Sequence, residues 1–204
     1  MISTESCNLP FVGSPLADAR ADALLSRLAA PPVSPQATRA PASTVFRGPV
    51  VLIDGRSGSG KSELATALAA RWPETVTLIR LDDIYPGWSG LDAASTHLHD
   101  ELLASSTPRW QRYDWVAGER AEWTSVNPTL PLIVEGVGSL SRQNAALATL
   151  RVWVELDDDT RRTRALARDG DAYAPHWEHW AAQERAFIAR ERPAALADVT
   201  FTEP

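Results

Sequence analysis

The chain has 204 residues, a formal net charge of −6 at pH 7, 44% hydrophobic residues and 23% charged residues. This composition is ordinary for a soluble globular domain, and the acidic balance argues against general binding to nucleic acid or anionic membranes, which needs clustered positive charge. The single cysteine excludes an internal disulfide, and no stretch resembles a signal peptide or approaches the roughly 20 apolar residues of a membrane span. We therefore expect a cytoplasmic protein.

Residues 1–44 are predicted to form an N-terminal extension that precedes a main domain at 45–204. Within it, residues 16–30 favour a short amphipathic helix, and the proline-rich stretch 31–43 is typical of a linker. One helical face collects Leu16, Ala23, Leu24, Arg27 and Leu28. The helix is expected either to dock on the domain or to carry contacts with a partner.

From residue 45 the pattern alternates between strands and helices. The predicted strands are 45–54, 75–81, 130–137, 150–156 and 198–203, and the predicted helices are 62–72, 159–169 and 177–196. The first strand ends in a continuous apolar run, which is typical of a strand buried on both faces. Strands separated by helical crossovers predict an α/β fold with a parallel five-stranded sheet and helices on both faces.

The turn between the first strand and the first helix of this domain carries a phosphate-binding motif, the P-loop. It fits G-x-x-x-x-G-K-[ST] at every fixed position through Gly55, Arg56, Ser57, Gly58, Ser59, Gly60, Lys61 and Ser62. Glycines allow a tight turn that aims backbone N–H groups inward, and the helix N-terminus adds a favourable dipole. The motif predicts a site for a nucleoside triphosphate, with the Ser62 hydroxyl on Mg²⁺.

Lys61 is the only lysine in a chain that otherwise uses arginine. An ammonium is a compact charge on a slim stem and can reach along the loop between the β- and γ-phosphates. A guanidinium is wider, planar and suited to a bidentate fork. The retained lysine therefore indicates a position where arginine does not fit.

The end of the second predicted strand indicates what receives the phosphate. Asp82 and Asp83 lie at the carboxyl edge of the sheet, where ligands bind in open α/β folds. Phosphoryl transfer to an alcohol needs a carboxylate that accepts the hydroxyl proton and aligns the oxygen for attack. The alternative is that the aspartate pair only ends a strand and caps a helix.

The segments GRSGSGKS, LDDIY, RYDW, LIVEG and DTRRTRALARD occur in an order that resembles the uridine kinase-like small-molecule kinases. That group includes uridine–cytidine kinases, nicotinamide riboside kinases and phosphoribulokinases, and the resemblance extends over about residues 48–202. It implies a P-loop fold of the nucleotide-kinase type, with ATP and Mg²⁺, Asp82 as the catalytic base and Glu135 as a metal ligand. The acceptor-binding residues expected on this basis are Asp82, Asp83, Tyr85, Arg112, Tyr113 and Asp114.

The stretch DTRRTRALARD resembles the lid of these kinases, and its arginines recur three and four residues apart on one helical face. Arginines that close over the γ-phosphoryl would stabilise its charge. We expect Arg161 to bind nucleotide and Arg164 and Arg168 to act in catalysis. The alternative is a solvated helical face paired with nearby acids. The chain departs from the family pattern at Ala165 and in DGDAYAPHW, after the helix.

The sequence predicts a kinase for a small acceptor, preferably a nucleoside or a ribose-like compound. A kinase for another small alcohol, such as a vitamin or sugar acid, and a non-catalytic ATP-binding regulatory protein are the alternatives. Trp88, Trp110, Trp115 and Trp123 cluster between Asp82 and the third strand, where they either stack on a flat ring or only pack. The sequence does not determine the oligomeric state, and a homodimer is one alternative. The histidine pairs have no cysteines nearby, which disfavours zinc.

Overall fold

The computed structural model describes residues 14–30 and 45–202. The predicted linker at 31–43 lies outside the described residues. The helices are α1 (Pro15–Ala29), α2 (Lys61–Arg71), α3 (Leu91–His97), α4 (Arg142–Ala146), α5 (Asp158–Tyr173), α6 (Trp177–Glu191) and α7 (Pro193–Leu196). The strands are β1 (Val50–Asp54), β2 (Thr77–Arg80), β3 (Arg109–Asp114), β4 (Glu119–Ser125), β5 (Leu132–Glu135), β6 (Leu150–Glu155) and β7 (Val199–Thr202).

The main sheet has five parallel strands in the order β2-β5-β1-β6-β7, which confirms the predicted fold class. In the central strand β1, alternate residues face opposite layers of helices, as a strand period of two requires. Val51 and Ile53 pack in the core that includes α1 and α2, whereas Val50 and Leu52 pack in the core that includes α3 and α6. This order places the carboxyl ends of β2, β5 and β1 side by side.

Several predicted element ends were wrong by a few residues. Residues 45–49 precede β1, and Leu81–Asp83 forms a 3₁₀ turn after β2 instead of extending the strand. The predicted helix 177–196 divides because Arg192 adopts a left-handed conformation (φ 58°) before Pro193, which starts α7. A residue before proline disfavours the helical region, so a helix tends to end there.

Between the 3₁₀ turn and β5, the chain forms elements that the sequence analysis did not predict. Helix α3 continues into a π-helical segment, Leu98–Leu103, and β3 and β4 form an antiparallel hairpin separate from the main sheet. The indole Nε1 of Trp115 donates to the backbone oxygen of Asp82 at 2.9 Å. This bond fixes the hairpin beside the predicted catalytic base.

The N-terminal helix α1 packs on α2 through a face that differs from the predicted one. Its buried residues are Ala17, Ala21 and Leu24, at the spacing of one helical face, whereas Leu16 and Ala23 are exposed. The amphipathic helix was predicted, and its face was right for Leu24 and Leu28, which pack on this core, but wrong for Leu16, Ala23 and Arg27, which are exposed. No helix in the described parts of the chain has the length and apolarity to cross a bilayer.

Candidate active site

The phosphate-binding loop turns tightly between β1 and α2, and two of its glycines have conformations that other residues avoid. Gly60, at the N-cap of α2, has φ 91° and ψ 7°. Gly58 has φ 81°, and a Cβ atom there would lie 2.2 Å from the carbonyl oxygen of Arg161. Any side chain at Gly58 would therefore displace either the loop or α5.

A buried carboxylate on α6 anchors this loop. Glu184, 1% exposed, accepts a hydrogen bond from the backbone N–H of Ser57 at 2.8 Å and one from Arg56 Nε at 3.1 Å. Arg161, also 1% exposed, donates from Nη1 to the Ser57 carbonyl at 2.8 Å, and both arginines bind Asp158. The side chains of Arg56 and Arg161 thus hold the loop in place, and their expected contact with nucleotide stays a prediction.

The variant Glu184→Gln is expected to lower the free energy of unfolding by about 3 kcal/mol, because it removes the buried carboxylate and leaves the buried Arg161 guanidinium with only the exposed Asp158 as an acidic partner. Glu178→Gln provides the control, since Glu178 lies on the same helix but is exposed. Urea unfolding of both variants measures the effect. An equal change in the two variants would contradict the anchoring role.

Lys61, Ser62 and Glu135 converge at the edge formed by β1 and β5. Lys61 begins α2 and is 7% exposed, and Glu135 ends β5 opposite Ile53 of β1. Burial raises the pKa of Glu135, against the opposing effects of the Lys61 ammonium and the Ser62 hydroxyl. Its buried Oε1 has no hydrogen-bond partner, although the Arg80 Nε lies 3.6 Å away in an ion pair. A buried carboxylate oxygen that accepts no hydrogen bond and lies beside a serine hydroxyl fits a role in holding Mg²⁺ directly or through water.

Asp54, the last residue of β1, is a buried carboxylate that the sequence analysis missed. It accepts hydrogen bonds from the backbone N–H groups of Gly55 (2.7 Å), Gly138 (3.1 Å) and Leu140 (2.8 Å). Burial raises the pKa of Asp54 to about 7, although these N–H groups and the Lys61 ammonium act in the opposite direction. An acidic residue at the end of an otherwise apolar strand was the available signal. Asp54 ties the start of the P-loop to the segment after β5.

Because the folded-state pKa of Asp54 lies above its ordinary value of 3.8, the folded protein binds this proton more tightly than the unfolded chain. The Asp54 contribution to stability should therefore fall as pH rises from about 4 to about 7 and be constant above that. Relative to Asp54→Asn, wild type should lose up to about 4 kcal/mol over this window. Urea unfolding of both proteins from pH 4 to pH 8 measures the difference. A pH-independent difference would contradict the assignment.

A cavity of about 580 Å³ lies beside the loop, and Asp82 lines it from the 3₁₀ turn. Five aromatic side chains form much of its wall: Tyr85, Trp88, Trp115, Tyr173 and Trp180. Trp88 stacks on Tyr173, with ring centroids 5.4 Å apart and an interplanar angle of 11°. Two of the four clustered tryptophans, Trp88 and Trp115, thus line this cavity.

A second cavity, of about 590 Å³, lies against the loop itself. Its lining includes Gly60 and Lys61 from the loop, with Arg164 from α5. Ser62 and Arg168 line both cavities. Two of the three predicted lid arginines thus face these cavities, and the shared pair marks the place where the cavities meet.

Comparison with known proteins identifies the architecture. No protein-family model and no curated protein sequence matches the chain. A solved structure described as a possible uridine kinase from Bacillus stearothermophilus superposes with a TM-score of 0.57 and 20% identity, over 90% of this chain and 97% of that one. A structure described as that of a fructose transport system kinase from Silicibacter sp. TM1040 gives a TM-score of 0.51 and 18% identity, over 91% and 98% of the two chains. The chain has the α/β fold of these structures, with a five-stranded parallel sheet flanked by helices.

Within this fold, the hairpin holds three residues expected to bind the acceptor, but none of them lines the aromatic cavity. Tyr113 packs edge-on against Trp115, with centroids 5.4 Å apart. Arg112 binds Glu122 through two hydrogen bonds of 2.6 and 3.1 Å. Asp114 caps the hairpin turn, where its Oδ1 accepts two backbone N–H groups at 3.0 Å each. Because Arg112, Tyr113 and Asp114 do not line the cavity, their contact with an acceptor stays a prediction.

The remaining predicted site residues have defined partners. Tyr85 lines the cavity, but its hydroxyl donates to the carbonyl of Val137 at 2.8 Å. Arg168 forms two hydrogen bonds with Asp169, of 2.8 and 2.7 Å, which raise the pKa of the Arg168 guanidinium. Helix α5 is kinked two residues later, at Gly170 (φ 53°, ψ −136°). The sequence analysis missed Tyr173 and Trp180, because only the tertiary fold brings α5 and α6 to this wall.

Proposed function

We propose that this protein is a Mg-ATP-dependent kinase that transfers the γ-phosphoryl group to an alcohol of a small acceptor, a nucleoside or a ribose-like compound. The observation that carries the proposal is the junction of two cavities at Ser62 and Arg168. One cavity contains the P-loop, and the other contains Asp82 and the aromatic wall. A triphosphate held by the loop amides and Lys61 would direct its γ-phosphoryl toward this junction.

The site provides a group for each part of the transfer. Asp82 accepts the proton of the acceptor hydroxyl while that oxygen attacks the γ-phosphorus, and the bond from phosphorus to the leaving oxygen of ADP breaks. Lys61 and Arg168 stabilise the charge on the transferring group. Mg²⁺, when held by Ser62 and Glu135, neutralises charge on the phosphates.

The acceptor is inferred from the composition of its cavity. Aromatic side chains bind flat rings through stacking and edge contacts, so the wall built around Trp88 favours a planar heterocycle over a small sugar acid. A volume of about 580 Å³ is within the usual range for small-molecule sites. Both properties support a nucleoside-like acceptor.

An ADP-release screen across ribonucleosides, their 2′-deoxy counterparts, sugars and vitamins tests the proposal. We expect a ribonucleoside to raise ADP release well above the rate with ATP alone, and EDTA to abolish it. Preference for the ribo form that disappears in Asp114→Ala would assign the diol contact to Asp114. Stimulation only by a vitamin or a sugar acid would support kinase activity but would contradict a nucleoside-like acceptor. No stimulation by any alcohol, with Asp82 dispensable, would instead indicate a regulatory ATP-binding protein.

A further inference from the structure

The start of helix α1 lies at the second cavity, the one lined by Gly60 and Lys61, where the proposed function places the nucleotide. Ser14 and Leu16 line this cavity together with Gly60, Lys61 and Glu63 of the loop and α2. The backbone N–H of Ser14 donates to Glu63 Oε1 at 3.2 Å, so the first residue of the described helix region is tied to the helix that follows the P-loop. The N-terminal helix is thus part of the surroundings of the site.

Further contacts fix this placement of α1 on α2. The Ser14 hydroxyl accepts a hydrogen bond from the N–H of Ala17 at 3.2 Å and caps the helix. One turn further on, Asp18 pairs with Arg71 at the other end of α2, with an N–O distance of 3.0 Å. Bonds at both ends of α2 hold α1 in one register against it.

Leu16 has no role in the core that holds α1 in place. That core is formed by Ala17, Ala21 and Leu24, whereas Leu16 is 45% exposed and borders the cavity. An exposed leucine beside polar and charged loop residues offers an apolar surface that the fold itself does not use.

We propose that Leu16 is a specificity-determining contact for the nucleoside portion of the bound triphosphate, so that α1 forms one wall of the nucleotide site. The loop amides and Lys61 take the phosphates, and the γ-phosphoryl points toward the junction at Ser62 and Arg168. The ribose and base therefore extend the other way, into the part of the cavity bordered by Glu63 and Leu16. The base is the apolar part of the ligand, and Leu16 is the apolar side chain that contacts it. This inference rests on the nucleotide binding in the proposed function.

Isothermal titration calorimetry on the full chain tests the inference with two ligands, Mg-ATP and inorganic tripolyphosphate with Mg²⁺. In Leu16→Ser the Kd of ATP should rise about three- to tenfold, because partial burial of a leucine is lost. The Kd of tripolyphosphate should stay the same, since it has no base. Leu28→Ser is the matched control: Leu28 lies about 18 Å along the same helix and packs against the core around α2.

The control should lower the melting temperature more than Leu16→Ser and bind both ligands as wild type does. Equal ATP affinity in wild type and Leu16→Ser would overturn the inference, as would an equal rise in Kd for both ligands. If wild type binds neither ligand, the proposed function fails together with the inference. If wild type binds ATP and Leu16→Ser binds it with the same Kd, the inference alone fails.

Discussion

Replacing Asp82 by asparagine is expected to lower kcat by about 10²–10⁴-fold, the scale of losing a general base. Asparagine has nearly the same shape but cannot accept the proton of the acceptor hydroxyl. The Kd of Mg-ATP should change little, because Asp82 lines the acceptor cavity and not the cavity of the loop. ADP release at saturating acceptor gives kcat, and calorimetry gives the Kd.

Asp83→Asn is the matched control, one residue away in the same 3₁₀ turn. Asp83 does not line the acceptor cavity. Burial raises the pKa of Asp83, and the negative charge of the neighbouring Asp82 raises it further. We expect a much smaller loss of kcat in this variant. A greater loss in Asp83→Asn, with unchanged folding, would reverse the assignment of the base.

The variant Lys61→Arg should keep the charge and the fold but lower kcat/KM by about 10²–10³-fold. Lys61 is 7% exposed, enclosed where the loop meets α2. A planar guanidinium needs more width and cannot occupy the narrow space along the phosphates. ADP-release kinetics measure the loss, and thermal melting verifies the fold.

The reverse exchange in the same loop, Arg56→Lys, is the control. The Arg56 guanidinium binds Glu184 and Asp158, so this variant should lose stability and retain most of its turnover. Turnover in Lys61→Arg comparable to that of wild type would show that the loop does not discriminate between the two cations.

The sheet and the P-loop could be predicted because both depend on local patterns. Apolar runs such as 50–54 identify buried strands, and the fixed glycine spacing identifies the turn. The hairpin β3–β4 could not, because its residues are largely exposed or half-buried and show no regular apolar alternation. Its position depends on tertiary contacts such as the bond from Trp115 to the Asp82 carbonyl.

The arginines of the predicted lid show the same limit within a single helix. Their spacing correctly places Arg161 and Arg168 on α5, but spacing does not show what each side chain meets. Arg161 is buried against Ser57 and Glu184, whereas Arg168 reaches both cavities. The difference arises because Glu184, which pairs with Arg161, lies on α6, a separate helix later in the chain.

The anchoring of the P-loop by Glu184 has a consequence for how the protein matures on the ribosome. The motif occupies eight consecutive residues, yet the N–H of Ser57 bonds to a carboxylate 127 positions further along the chain. During synthesis the complete motif emerges long before α6 does. Until then the loop lacks the carboxylate that accepts from the Ser57 amide and binds Arg56 of the loop and Arg161 of α5. The nascent chain therefore carries the complete motif well before it has the carboxylate that anchors it, and the anchored loop can form only once nearly the whole domain has been made.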